Sequence, residues 1–284
     1  FFCVSTDKAA NPVNIMGASK KLMEELILAY ADVLPIKTAR FANVAFSNGS
    51  LPQGWLERLT KRQPWSCPLG IRRFFVSPIE SGELCLMASI MGESGDIVFP
   101  KLDEARDMIP FDQVARELLA ALGMEADVCR SEEEALLRPL SGRNGECKNG
   151  GGAGEGARGA YDGGGAWKEP VDRGVFTRGD AEAQGFYPHA RWPVYFFESD
   201  TSGEKTYEEF YTPGEALELN KFVNLGVVKN AKRRDLAEID SIFASLQKLF
   251  ASADVTKADV VHVLKDYLPN FAHIETGKGL DQKM

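Results

Sequence analysis

The residues of this chain best equipped for chemistry crowd into its first twenty positions. Thr6-Asp7-Lys8 sets a hydroxyl, a carboxylate and an amine in consecutive places, and Met16 and Lys20 follow four residues apart. An acid and a base side by side can divide a proton-transfer task when their surroundings tune them apart. The same three residues would serve equally as a polar loop with a solvated ion pair, and residue types alone leave both readings open. A spacing of four puts Met16 and Lys20 on one helix face. The histidines, His189, His262 and His273, all lie far downstream. A Ser–His–Asp triad or a histidine metal site therefore cannot belong to this block, and no metal is expected.

The elements that must hold this block can be read around it. Phe1 to Ser5 is an apolar run with no initiator Met and no charged leader, which predicts a buried strand and further chain upstream rather than a signal peptide. Thr6-Asp7-Lys8 would then sit at the carboxyl end of that strand, where open α/β sheets bind ligands. Pro12 and Asn14 prepare a helix start. Leu22, Met23, Leu26, Ile27, Tyr30 and Val33 recur at helical spacing, predicting a helix from Met16 to about Val33 that Pro35 stops. Ile36 to Phe46 reads as one strand, so residues 1–46 form a strand–helix–strand unit of a parallel α/β sheet. A turn at Ser47-Asn48-Gly49-Ser50, a helix over Leu51–Lys61, a strand over Asp96–Pro100 and a helix over Phe111–Leu122 follow. Trp192 to Phe197 reads as another strand. In the tail, Leu236, Ile239, Ile242, Phe243, Leu246, Leu249 and Phe250 make one apolar stripe. Thr256 and Asp259 stand at capping-box spacing before a second helix to about Leu268. Such a helix pair is expected to be structural or oligomeric.

Composition bounds the rest. At 284 residues, with 44% hydrophobic and 26% charged, the chain suits one or two globular domains. A net charge of -8 argues against nucleic acid as a partner. The basic run Lys229 to Arg234 reads as the solvated start of a helix. Five cysteines, none at C-x-x-C spacing, argue against a disulfide framework and a zinc site and fit a reducing cytoplasm. No apolar run approaches the ~20 residues of a membrane span. The glycine-rich stretch inside residues 141–182 cannot build a core and is expected to be a disordered insertion. It contains a G-x-G-x-x-G match from Gly154 to Gly159, but no strand precedes it and its surroundings are glycine-rich throughout, so the match reads as chance.

Three blocks carry a family resemblance. Residues 5–20, STDKAANPVNIMGASK, resemble the active-site segment of nucleotide-sugar 4,6-dehydratases of the capsule and polysaccharide branch of the extended short-chain dehydrogenase/reductase family. Residues 40–52, RFANVAFSNGSLP, resemble the next conserved block, and Arg72-Arg73-Phe74-Phe75 the one after it. Residues 192–212 resemble a C-terminal extension of a subgroup acting on nucleotide-linked N-acetylglucosamine. The resemblance implies the C-terminal part of a Rossmann-like doubly wound parallel sheet with a smaller α+β substrate domain and a helical tail. On that reading residues 1–47 complete an NAD(P)-binding domain, 48–140 mainly bind the nucleotide sugar, 183–230 form the extension and 231–284 a helical hairpin.

The roles it implies are these. Lys8 is the base at the sugar's C5, Asp7 the acid that protonates the departing C6 hydroxyl, and Thr6 a hydrogen-bond partner of the C4 oxygen. Lys20 binds the ribose of NAD or NADP, with Phe41 and Ala42 beside the cofactor. Asn43, Ser50 and one of Arg72 or Arg73 hold the nucleotide diphosphate, for which a guanidinium fork is suited. A cytoplasmic homo-oligomer is implied. One departure stands out: the family's usual Tyr-x-x-x-Lys is Met16-x-x-x-Lys20 here. Methionine cannot take the C4 hydroxyl proton, so Asp7, Thr6 or water must do so, or C4 is not oxidised. Rival readings are a 4-epimerase or 5-epimerising dehydratase of the same family, and a non-catalytic scaffold that lost its tyrosine. An epimerase has no need of an acid at C6, which favours dehydration.

Overall fold

The computed structural model describes residues 1–140, 178–183, 190–199 and 203–275. In chain order the elements are β1 (Phe2–Thr6), α1 (Ile15–Leu28), β2 (Lys37–Phe41), β3 (Asn43–Val44), α2 (Leu51–Thr60), β4 (Trp65–Leu69), β5 (Arg72–Val76), α3 (Pro78–Met91), β6 (Ile97–Pro100), α4 (Glu104–Asp107) and β7 (Met108–Pro110). There follow α5 (Phe111–Ala121), β8 (Met124–Cys129), α6 (Glu132–Leu137), α7 (Arg178–Ala183), β9 (Ala190–Glu198), β10 (Leu217–Glu218), β11 (Leu225–Val228), α8 (Leu236–Phe250) and α9 (Lys257–Tyr267). They group into two compact units, residues 1–54, 66–115 and 196–284 in the first and 55–65 with 116–195 in the second.

The first unit is a layered α/β structure. Its main sheet has the order β1-β2-β6-β11-β10, with β1, β2 and β6 parallel and β11 and β10 antiparallel. Strand alternation decides what each face buries. Ala39, Phe41 and Val98 meet Leu84 and Ala88 of α3 on one side, while Ile97 and Phe99 join Leu28, Ile36 and Phe210 on the other. Covering both faces is what a parallel sheet requires. A second sheet, β3-β5-β7, pairs Asn43 with Phe75 and Arg73 with Ile109. In the second unit β8 and β9 pair in parallel from Met124–Ala190 to Cys129–Tyr195, and Trp55 stacks on Trp65 at 5.4 Å.

The tail belongs to the first unit's core. Ile242 of α8 and Leu264, Leu268 and Phe271 in and after α9 pack on Ala18 and Leu22 of α1. The capping box expected at Thr256 and Asp259 is present.

Several expectations need correction. The strand over Ile36–Phe46 is two strands: the chain leaves the main sheet after Phe41, and Asn43–Val44 pair with β5 instead. The first helix ends at Leu28, and turns closed on Tyr30 O fill the stretch to Leu34. The run Lys229 to Arg234 leads into α8 but is solvated only in part: Lys229, Lys232 and Arg233 are exposed and Arg234 is buried. Lys229 is paired with Glu93 and Asp96, Arg233 with Asp32, and the buried Arg234 with Glu25, because acidic groups of α1, the turn after it and the turn before β6 face this strand exit. Helix α3 was not expected, although Ser77, Pro78 and Glu80 form a full capping box with proline at the start. Of the stretch expected to be disordered, its end is the short helix Arg178–Ala183. The rest, with the match from Gly154 to Gly159, lies outside the described residues.

Candidate active site

The reactive block sits where β1 ends. Thr6 closes the strand and caps a single 3-10 turn, Asp7–Ala9, before Asn14 caps α1. Helix α1 starts hard against that turn: a Cβ on Gly17 would stand 2.7 Å from the Lys8 carbonyl oxygen, so glycine permits the approach. The sequence thus folds its hydroxyl, carboxylate and amine into one tight corner.

Asp7 is the centre of that corner and only 2% exposed. Its Oδ1 accepts from Thr6 Oγ1 at 2.7 Å, from the Lys8 backbone N–H at 2.8 Å and from Lys8 Nζ at 3.1 Å. Its Oδ2 is buried without a hydrogen-bond partner. Lys8 keeps 21% of its side chain exposed, so the amine can still be approached.

The expected cofactor residues gather at the same strand ends. Thr6 stands opposite Phe41 in the parallel pairing of β1 and β2, and Phe41 and Ala42 are buried. Lys20 Nζ donates to the Val4 carbonyl at 3.2 Å, leaving an ammonium with further donors one turn below Met16. Met16 is 47% exposed. The further donors of Lys20 have the chemistry to meet a ribose hydroxyl. No glycine-rich strand–turn–helix for a pyrophosphate occurs among the described residues.

The expected substrate residues lie on or near the second sheet, Asn43 on β3, Arg72 and Arg73 on the central β5, and Ser50 just before α2. Asn43 Nδ2 donates to the Phe74 carbonyl at 3.3 Å. Ser50 immediately precedes α2, after a loop in which Phe46 adopts a positive φ of 57°. That conformation is costly for a bulky residue and is found where surrounding structure dictates it. The two arginines diverge. Arg72 is the exposed one and pairs with Glu104. Arg73 is buried and turns into the segment after β9, donating to the carbonyls of Lys205 at 3.0 Å and Arg72 at 2.8 Å.

That segment brings in a carboxyl that sequence reasoning missed. Asn14 Nδ2 holds the Gly203 carbonyl at 2.9 Å, Asn11 Nδ2 holds Glu209 at 2.6 Å, and the Arg72 N–H holds Thr206 O at 2.8 Å. Gly203 has a φ of 68° and lies so close to Asn14 that a Cβ would stand 2.5 Å from its side chain. Fixed in this way, Glu208 is 4% exposed and lies within the field of Asp7 and Lys8. Its Oε2 has no hydrogen-bond partner, and the nearest cations are Lys205 at 3.9 Å and Arg73 at 4.0 Å. Burial, the largest effect, pushes the Glu208 carboxyl above the ordinary glutamate range. Lys8 pulls it back, Asp7 adds to the rise, and Arg73 and Lys205 oppose it. The doublet Glu208-Glu209 gave no sign of this, since one of two adjacent carboxylates in a polar stretch reads as solvated.

The fold recurs in a solved structure. The crystal structure of Pen from Bacillus thuringiensis superposes with a TM-score of 0.50 at 16% identity, over 82% of this chain and 54% of that one, so the fold is Rossmann-like. An uncharacterised membrane protein of Methanocaldococcus jannaschii is 33% identical over 134 residues, 45% of this chain and 40% of its own length. A UDP-glucose 4-epimerase of Rickettsia canadensis is 37% identical over 111 residues, 34% of this chain and 30% of the epimerase. The chain thus spans less than half the length of these two curated relatives. Among the described residues no helix is long and apolar enough to cross a membrane. The profile of the polysaccharide biosynthesis protein family matches residues 1–148, more than half of the 284, and the chain belongs to that family.

Proposed function

We propose that this protein acts as an NAD(P)-dependent nucleotide-sugar 4,6-dehydratase, turning a UDP- or GDP-linked N-acetylglucosamine into its 4-keto-6-deoxy form. The observation that carries the reading is the Thr6–Asp7–Lys8 corner, in which one buried carboxylate joins a hydroxyl at 2.7 Å to an amine at 3.1 Å. Bound NAD(P) would take hydride from C4 and return it at C6.

The protein's own groups account for the protons. The C4 hydroxyl gives its proton to Thr6 Oγ1, which passes its own to Asp7 Oδ1 along the existing hydrogen bond. No tyrosine is needed for this route. The C4 ketone makes the C5 hydrogen acidic, and Lys8 removes it as a neutral amine. Asp7 then protonates the departing C6 hydroxyl, which leaves as water, and Lys8 returns its proton to C5. The proton lost from C4 is thus the one that leaves in water, and the carboxylate is restored. Of the two arginines, Arg72, with its exposed fork, suits the diphosphate. The four free cysteines among the described residues fit a cytoplasmic site of action.

The names of the Rickettsia relatives favour a second reading, a nucleotide-sugar 4-epimerase. Epimerisation at C4 leaves C5 and C6 untouched and has no use for an acid next to an amine. The full-length protein, given NAD(P) and the UDP- or GDP-linked sugar in deuterated water, should yield a 4-keto-6-deoxy sugar. It should carry solvent deuterium at C5, and at C6 the hydrogen that began on C4. A 4-epimer without solvent deuterium would establish the epimerase instead.

A further inference from the structure

The apolar stripe of α8 is wider than the fold uses. Ile239 and Ile242 are 0% exposed, and Ile242 and Leu246 join the core formed with α1 and α9. Beside them Leu236, Phe243 and Phe250 recur every seven residues and are 48%, 48% and 62% exposed. A spacing of seven keeps residues on one side of a helix. Asp240 and Gln247, also exposed, complete the row Leu236-Asp240-Phe243-Gln247-Phe250. Its steps alternate four and three, the pattern of a helix–helix seam. Apolar residues exposed singly need no explanation, but a row holding a leucine and two phenylalanines along one helix marks a contact surface.

We propose that two copies of the chain pair through this row, α8 against α8 in antiparallel sense, about a two-fold axis at Phe243. The pairing does not depend on the reaction assigned to the Thr6–Asp7–Lys8 corner. The row itself argues for a second copy as its occupant. Phe243 is the middle, with an apolar residue seven places to either side. An axis there sets Phe243 on Phe243 and Leu236 on Phe250, twice, which is the self-complementarity that a two-fold contact requires. The polar members match in the same arrangement. Asp240 lies one turn before the centre, and Gln247 and Lys248 lie one turn after it on the same flank. The axis brings the carboxylate of each copy to an amide donor and an ammonium of the other. A parallel pair would instead set Asp240 on Asp240, a repulsion between like charges. The outer face of α3 exposes more apolar surface, at Ile79, Leu86 and Ile90. Its charged residues, Glu80 and Glu83, are both acidic and give a second copy nothing to pair with.

One helix row is a small contact of the weakly associating class, so the test is made at about 100 µM protein. The full-length protein in sedimentation equilibrium should show a reversible dimer. Phe243→Asp should raise its dissociation constant at least about thirtyfold, the loss typical of a central aromatic anchor. Circular dichroism checks that the variant is folded. If the aspartate unfolds the chain, cysteine pairs decide, and they also read the direction. Under mild oxidation Phe243→Cys should link to itself. Leu236→Cys should link to Phe250→Cys in a mixture of the two, and to itself no more than the wild type does, whose five cysteines set the background. A monomer at this concentration would overturn the proposal. So would a dimer that Phe243→Asp leaves intact, a Phe243→Cys that links no more than the wild type, or a Leu236→Cys that links to itself, which is the mark of a parallel pair.

Discussion

Of the clusters of buried charge among the described residues of the first unit, two are built to different standards. Arg40 on β2 is 0% exposed, and its donors are all used. Nε and Nη2 reach Glu24 at 3.0 and 2.8 Å, Nη1 and Nη2 reach Glu215 at 2.9 and 2.8 Å, and Nη1 also reaches the Phe210 carbonyl at 2.8 Å. Glu24 takes a further bond from Ser5 at 2.6 Å. Five N–H groups have five acceptors. Around Asp7 and Glu208 the charges are as deeply buried, yet two carboxyl oxygens have no hydrogen bond and the arginine and lysine stand off at 3.9 to 4.0 Å. Saturation ties α1 to β2 and to the segment before β10. Incompleteness leaves capacity for protons. Burial alone does not separate a structural cluster from a reactive one; the account of donors and acceptors does.

The comparison breaks most visibly at its two cations. Lys8→Ala should remove dehydration, with a loss of at least the 10²–10⁴-fold typical of general acid–base groups. It should cost less stability than Arg40→Ala, because the amine is partly exposed and Asp7 keeps hydrogen bonds from Thr6 Oγ1 and the Lys8 backbone N–H. If Lys8→Ala turns over normally, another group is the base. Arg40→Ala should do the opposite to the fold, costing about 3–5 kcal/mol by stranding two buried carboxylates. Urea unfolding measures it, and a cost below about 1 kcal/mol would show that the network is not what joins these elements.

A smaller effect of opposite sign should separate the carboxylates. Glu24→Gln weakens a saturated network and should destabilise. Glu208→Gln should stabilise at neutral pH, since it removes a buried charge with no hydrogen bond on one oxygen. The pH dependence has a definite sign. Glu208 has a folded pKa raised above its unfolded value, so its contribution is full below the ordinary glutamate range and is lost as pH rises through the raised folded value. The advantage of Glu208→Gln should grow across that window and be absent well below it. Thermal unfolding at several pH values reads this directly, and a constant difference would show that Glu208 does not titrate there.

How much of this was legible beforehand follows from what each signal depends on. The corner at Thr6-Asp7-Lys8 could be read because it is local: an apolar strand, a polar turn and a capped helix fix it within twenty residues. Helices α8 and α9 were visible for the same reason. The strand break at Ala42 was not, because it depends on β5, some thirty residues away, offering Asn43 and Val44 a second sheet to join. Glu208 was hidden more deeply. Its burial is created by Asn11, Asn14 and Arg73, which lie far from it in sequence, and nothing in residues 204–209 announces that contact. Arg234 was misread for the same cause, since Glu25 is supplied by α1.

The smallest effect is expected at Met16, where the resemblance implies a tyrosine. Met16→Tyr places the tyrosine that the resemblance implies four residues before Lys20. Two observations limit what it can add. Met16 is 47% exposed on the first turn of α1, so its replacement disturbs little packing and stability should change by no more than about 0.5 kcal/mol. The proton that a tyrosine would accept already has a route, since Thr6 Oγ1 donates to Asp7 at 2.7 Å and the carboxylate behind it can hold what arrives. A second acceptor in parallel with a working one alters the rate by less than about tenfold, the least that a distinct acid–base contribution would normally supply being larger. Thr6→Val supplies the sharper half of the test, because it cuts the relay while keeping the shape of the side chain. Thr6→Val should be slow on its own and should be rescued in the double variant with Met16→Tyr. A hundredfold gain from Met16→Tyr alone would mean that the Thr6–Asp7 bond does not carry the C4 proton, and that this corner works below the capacity its geometry suggests.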